Sequence, residues 1–392
     1  MNSDQPHSKL TLYEIGLSFL RLGVTAFGGP AAHIAMMEDE FVKRRQWVTH
    51  EHFLDMLGVT NLIPGPNSTQ MAIHIGYTKA GWRGLIIAGA CFIVPAVAIT
   101  LVFAYMYVAY GTMPQFMPFM AGIRAAVITI ILGAVYRIGK PMLKKRFMVV
   151  TGIGVAVGSL FGLDTIALLL GAGVAGMLWN NRNRIFNITE KEVLSSFAGT
   201  SVLILAAVGA TTFIADNATL TDLGLYFLKI GSVLYGSGYV LVAFLQAGLV
   251  DAHHWLTQSQ LLDAVAIGQF TPGPVLSTAT FIGYVIFGLP GAGVATLGIF
   301  LPSFVFVAAV GPFIPKLRKS PVMKGFLDGV NAAALGLMLA VCYMLGSTAL
   351  TSTSAWVIFV LAGVAVFFRN VNAAWLMLGS AAMGWLLSLI LR

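Results

Sequence analysis

Charge is scarce in this 392-residue chain: Lys, Arg, Asp and Glu together make up 10% of it, against 58% apolar residues. A soluble globule of this length cannot hide so much apolar surface, and the composition predicts an all-α polytopic membrane protein. Cysteine is scarcer still, with only Cys91 and Cys342, both inside apolar stretches. They read as small buried hydrophobes and form no disulfide, zinc or redox motif, so neither a cofactor nor a metal is expected. Acidic residues number 15 against 23 basic ones, but the net charge of +8 flanks apolar spans and is not a nucleic-acid footprint. Met1 to Leu10 lacks the basic-then-apolar layout of a cleavable leader, so the first apolar segment is expected to stay in the mature protein.

What stands out is Pro64-Gly65-Pro66 in the middle of an apolar segment, followed by Asn67, Ser68, Thr69 and Gln70. Proline has no N–H and forces its predecessor out of the helical region, so a helix must break there and restart after Pro66. The restart leaves N–H groups without helical acceptors, an end that attracts anions. The device recurs at Pro272-Gly273-Pro274, followed by Ser277 and Thr278. Matched breaks in apolar segments point to a transporter's binding site. A further break is expected at Gly28-Gly29-Pro30.

The recurrence is part of a longer repeat. Gly23 matches Gly231, Trp47 matches Trp255, Asp55 matches Asp263 and Pro64 matches Pro272, each pair 208 residues apart, as 64 is from 272. After the Pro-Gly-Pro the offset is 207, as in Pro95 with Pro302, Gly122 with Gly329 and Tyr136 with Tyr343. The chain divides into a first repeat (1–194), a linking transmembrane helix and loop (195–222) and a second repeat (223–392). Equivalent loops differ in charge: Arg137 to Arg146 is strongly basic where Gly346 to Thr353 has no charge, and Gly111 to Gln115 is uncharged where Lys316 to Lys324 is basic. Basic loops stay in the cytoplasm, so the two halves are inverted repeats. With the Gly-Gly-Pro and Pro-Gly-Pro elements as re-entrant hairpins, each half has four crossings and the helix from Ser195 to Ala215 supplies the odd one that inversion requires. If each broken element simply crosses, the inversion holds with a different count.

The runs Phe27-Gly28-Gly29-Pro30-Ala31-Ala32-His33-Ile34, Pro64 to Gln70, Gly236-Ser237-Gly238-Tyr239, Thr271 to Pro274 and Gly298 to Phe304 resemble the chromate ion transporter family across both halves. That resemblance implies a long-chain, two-domain carrier of the inner (plasma) membrane that exports chromate. Sulfate, a tetrahedral dianion of similar size, is the alternative cargo, and an anion channel the alternative mode. Expected partners are the inorganic oxyanion, the lipid bilayer and a second copy of the chain in a homodimer.

Substrate binding is expected at Gly28, Gly29, Asn67, Ser68, Thr69, Gly236, Ser237, Ser277 and Thr278, where N–H groups and hydroxyls face the breaks. Arg124, deep in an apolar span and matched by uncharged Asn331, is a candidate counter-charge to the anion, with pairing to an acid as the alternative. Arg21 matches Lys229 as Asp55 matches Asp263, which suggests repeat-symmetric ion pairs, with proton coupling through Asp55 and Asp263 as the other reading. His33 and His74, present in the first half only, are further coupling candidates, set against the reading as hydrogen-bonded helix histidines. Glu38, Asp39 and Glu40 are expected to pair with Lys43 to Arg45 at a solvated hairpin end. No catalytic residue is expected, since Ser68 and His74, the one nucleophile–base candidate, sit on poorly matched helix faces.

The charge pattern generates a topological prediction. Single cysteines in the Arg137–Arg146 and Gly346–Thr353 loops of a variant lacking Cys91 and Cys342 should react with an impermeant reagent from opposite sides of the membrane. Labelling of both from one side refutes the inversion.

Overall fold

In a computed structural model the described residues are 11–111, 113, 115–182, 219–235, 238–310, 321–369 and 371–390; they form helices joined by turns, with no strand among them. The expected linking helix, most of the Lys316–Lys324 stretch, and Gly236 and Ser237 lie outside them.

Helix α1 (Leu12–Thr25) opens on a capping box between Thr11 and Glu14. The chain leaves helical geometry at Ala26, passes Gly28 and Gly29 at φ of 107° and 80°, and restarts at Pro30, whose missing N–H costs nothing in a first turn. Helix α2 (Pro30–Glu38) then runs into a π-helical turn, Asp39–Arg44. Phe41, late in this stretch, lies 4.8 Å from Phe19, well before the break, so the two arms fold back on each other. Helix α3 (His50–Thr60) is capped by Thr49, and the chain is non-helical from Asn61 to Pro66. It too folds back, because Thr78 in α4 (Asn67–Tyr110) reaches Met56 Sδ at 3.8 Å. Within α4 the backbone breaks again at Ala80 and Gly81, where φ is 57°. Gly76 and Gly84 meet there backbone to backbone, although in a straight helix they would stand about 12 Å apart.

Helices α5 (Met117–Met142), α6 (Arg146–Leu160) and α7 (Thr165–Asn181) complete the first half. The second half repeats it element for element. It comprises α8 (Leu220–Val233), the short α9 (Leu241–Leu245) with its own π-helical turn, α10 (Gln258–Phe270), α11 (Thr278–Val310), α12 (Pro321–Ala349), α13 (Thr353–Arg369) and α14 (Ala373–Ile390). Even the inner break recurs, at Phe287 and Gly288. The repeat-equivalent helices α5 and α12 lie antiparallel: Lys145 bonds Asp328 at 2.7 Å, Gly139 faces Leu335, and Ile128 faces Gly346. The halves are therefore inverted.

They are also exchanged. Helices α6 and α7 pack on α12 of the other half, while α13 and α14 pack on α5. Small residues let these helices approach. A Cβ on Gly122 would collide with the Ser380 carbonyl and come within 3.2 Å of Gly384 Cα; its equivalent, Gly329, meets the Ala172 carbonyl and Gly173 in the same way. Five described helices are long and apolar enough to cross a membrane. Side chains such as Phe161 (82% exposed) and Phe368 (79%) point outward, as a lipid-facing surface requires. At the π-helical end of the first hairpin Lys43 pairs with Asp39 at 3.6 Å, and Arg45 and Arg44 bond Glu40 at 2.5 and 3.3 Å, as expected, whereas Glu38 lies against His50 Nδ1 at 3.2 Å. The hydrogen bond from Arg45 holds the Glu40 carboxyl below its usual range.

Overpacking these crossings should show in stability. Gly122→Ala and Gly329→Ala are each expected to cost about 1–3 kcal/mol and to lower the unfolding temperature in detergent. Gly154→Ala, with open space around its Cβ, should lower nothing. Equal behaviour of all three contradicts the close approach.

Candidate functional site

A Pro-Gly-Pro turn keeps a single N–H in three residues, that of the glycine, and burial obliges it to find an acceptor. The Gly65 N–H donates to the Leu234 carbonyl at 2.6 Å, and the Gly273 N–H donates to the Ala26 carbonyl at 2.8 Å. Ala26 and Leu234 are repeat equivalents, each at the C-terminal end of its half's first helix. Each Pro-Gly-Pro thus docks on the first helix of the opposite half, and the two contacts are repeat equivalents of each other. Gly28 and Gly29 form the turn just beyond Ala26.

Around the first break polar groups accumulate. No side chain caps the start of α4. Asn67 donates to Asn61 Oδ1 at 2.6 Å, Gln70 Nε2 donates to the Pro64 carbonyl at 2.5 Å, and Ser68 Oγ lies 3.4 Å from His33 Nδ1. Ser303, on α11, approaches from the other half: a Cβ on Gly65 would lie 2.7 Å from its Oγ and would overlap Gln70 Nε2. That contact and a φ of 125° explain the glycine. Several buried polar atoms here have no partner: His33 Nε2, Thr69 Oγ1, Gln70 Oε1, both His74 nitrogens and Ser303 Oγ. Native interiors rarely leave such groups unpaired, and where they do a ligand or ordered water is the usual account.

The second break is quieter. A 3-10 turn, Val275–Ser277, precedes α11, the Ser277 N–H returns to the Pro274 carbonyl at 3.0 Å, and the Thr278 hydroxyl is spent on the Val275 carbonyl at 2.8 Å. Among the described residues, Ser277 Oγ and Gln269 Nε2 stay unpartnered there.

Arg124 sits elsewhere. Its Nε and Nη2 donate to the two carboxylate oxygens of Asp263 at 2.7 Å each, and the Tyr107 hydroxyl donates to Oδ2 at 2.9 Å. The carboxylate is fully buried and the arginine side chain 28% exposed. Asp263 precedes Thr271 by eight residues on α10, so this pair lies about 12 Å along the helix from the second break. Sequence symmetry suggested that Asp263 would pair with a basic residue of its own repeat, Lys229. It pairs with Arg124 of the other half instead, because the exchange brings α5 against α10. The repeat equivalent Asp55 stands exposed on α3. Ser68 and His74 do not form a couple, since the Ser68 hydroxyl faces His33.

Sequence reading missed Ser303, Gln70 and Tyr107. Ser303 carried a signal, since it follows the repeated Pro302 where the first half has Ala96 after Pro95. Tyr107 carried none.

An inverted, exchanged pair of helical halves, each with a buried chain break docked on the other, is the architecture of a multi-pass membrane protein of the transporter type. The chain belongs to the chromate transporter family, whose profile matches residues 13–177 and 221–385, once per half. It is 32% identical to the chromate transport protein of Cupriavidus metallidurans over 377 residues, 95% of this chain and 92% of that one. It is 31% identical to a probable chromate transport protein of Synechococcus elongatus (88% and 87% covered) and 28% identical to a chromate transport protein of Pseudomonas aeruginosa (94% and 90%). No solved structure matches the chain.

The Arg124–Asp263 pair is testable through its non-additivity. Removing one partner strands a buried charge, so Arg124→Gln or Asp263→Asn alone should cost about 3–5 kcal/mol, read as a lower unfolding temperature of the purified protein. The double variant should recover much of that loss. Additive losses would show that the two groups do not depend on each other.

Proposed function

We propose that this protein is a secondary carrier of tetrahedral oxyanions that exports chromate across the inner membrane as an antiporter. The anion is held at the helix starts that follow the Pro-Gly-Pro breaks. The observation that carries this reading is the cluster of buried, unpartnered polar groups at a helix start whose N–H groups have no cap. A dianion needs many donors that are already desolvated, and such an end supplies them with no rearrangement of solvent. The names of the relatives supply chromate as the first cargo to try, and sulfate shares its shape and charge. In this reading the α1–α2 and α3–α4 hairpins are re-entrant, and the basic loops Arg137 to Arg146 and Lys316 to Lys324 face the cytoplasm. The contact between Lys145 and Asp328 supports that placement, since it sets the end of α5 beside the start of α12. With its charge matched by Asp263, Arg124 meets the anion only in a conformation where that pair has opened. Charge balance at the breaks falls to dipoles and hydroxyls until then.

The test is flux of radiolabelled chromate and sulfate into proteoliposomes, with and without a pH gradient. A carrier saturates and exchanges labelled for unlabelled anion, whereas unsaturable flux marks a channel. Ser68→Ala combined with Thr69→Ala should keep the protein inserted and raise the half-saturation concentration about tenfold or more, since a hydrogen bond to a charged group is worth about 1.5–3 kcal/mol. An unchanged half-saturation overturns binding at this end.

A further inference from the structure

The two breaks are equivalent by descent and by backbone, yet their surroundings are not. His33 is matched by Leu241, His74 by Phe281 and Ser303 by Ala96. Each replacement removes a polar group from the second break or its wall. The helix starts differ in the same sense: α4 begins openly at Asn67, while α11 begins behind a 3-10 turn that consumes the Ser277 N–H and the Thr278 hydroxyl.

We propose that the first Pro-Gly-Pro break is the single oxyanion site of the molecule, that Ser303 of the opposite half closes it as a ligand, and that the second break is its structural counterpart. The inference rests on the oxyanion-carrier reading above and narrows it. Ser303 Oγ, Thr69 Oγ1 and His33 Nε2 are unpartnered, with their residues no more than 1% exposed, and the start of α4 adds unpaired backbone N–H groups. When the Ser68 hydroxyl donates to His33 Nδ1, the imidazole proton resides on Nε2, a buried donor that an anion would share with the Ala26 carbonyl beside the ring. Gln70 spends one N–H on the Pro64 carbonyl and has a second N–H to offer a ligand. Gly65 admits this arrangement because any side chain there would fill the space between Gln70 and Ser303. The site draws ligands from both halves. Relative movement of the halves would therefore dismantle it on one side, which is what release to the opposite face requires.

Ser303→Ala and Ser277→Ala make the matched experiment, since both remove a fully buried, unpartnered hydroxyl of the same size. Each variant is purified, and its half-saturation for chromate and for sulfate is measured in proteoliposomes beside the shift of unfolding temperature on adding either salt. Ser303→Ala should raise half-saturation about tenfold or more and weaken the salt-dependent stabilisation, with the salt-free unfolding temperature held or raised. Ser277→Ala should shift half-saturation less than about twofold. Equal effects of the two, or none from Ser303→Ala, overturn the single-site assignment while leaving the carrier reading in place. A parent protein that neither moves nor is stabilised by chromate or sulfate overturns the carrier reading itself, and this inference with it.

Discussion

The structure depends on two reciprocal hydrogen bonds, from Gly65 N–H to the Leu234 carbonyl and from Gly273 N–H to the Ala26 carbonyl. Each joins a donor that a Pro-Gly-Pro turn has stripped of helical acceptors to an acceptor that a helix end has left open. In a bilayer no water is available to satisfy either group, and an unpaired amide there costs several kcal/mol. Neither half can satisfy its own break, so each supplies the acceptor that the other lacks. The same reciprocity extends outward through the exchanged helices, with α6 and α7 seated on α12, and α13 and α14 on α5. A single half folded alone would expose the Pro-Gly-Pro amide, the Ala26 or Leu234 carbonyl and the glycine-lined faces of Gly122 or Gly329 at once.

The reciprocity of that pairing calls for a twofold axis, and the direction of the packed helices fixes which one. An axis along the membrane normal would set repeat-equivalent helices parallel, whereas an axis in the membrane plane sets them antiparallel. Lys145 beside Asp328 and Ile128 beside Gly346 record that direction along α5 and α12. The long helices α4 and α11 pack on each other, and each break lies against the other half's long helix, Gly65 by Ser303 and Gly273 by Ala96.

Much of this was legible in the sequence because its causes are local. Proline and glycine dictate where helices stop, so Pro64 to Pro66 and Gly28 to Pro30 announced the interruptions. The inner break at Ala80 and Gly81 was not anticipated. A constant offset needs no physics to be seen, and loop charge alone indicated the inversion. What stayed hidden was the contact between halves. Nothing in the spacing of Asp263 distinguishes Lys229 from Arg124 as its partner, since the choice depends on which helices exchange. Tyr107 joined that pair from α4 without any marker in its own segment. Ser68 and His74 looked like a couple only while His33, which takes the Ser68 contact, was far away in sequence.

Duplication explains why the polar groups are uneven. Symmetry is needed where the two halves hold each other, at the glycine amides, the helix-end carbonyls and the close-packed glycines, and there the repeat is kept in both copies. If the anion binds at the first break, as proposed above, a small dianion needs no second set of ligands, and a second set would stay buried and unpaired. Apolar residues at the second break, Leu241, Phe281 and Ala96, remove that penalty and restore packing at the same backbone positions. The Arg124–Asp263 pair is uneven in the same way: the equivalent of Arg124 is uncharged Asn331 and that of Asp263 is the exposed Asp55, so the buried charge couple is not repeated. Its cost in desolvation is offset only while both partners and Tyr107 stay engaged. The pair therefore favours the arrangement of halves in which α5 and α10 are in contact, and so opposes any transport movement that would separate them.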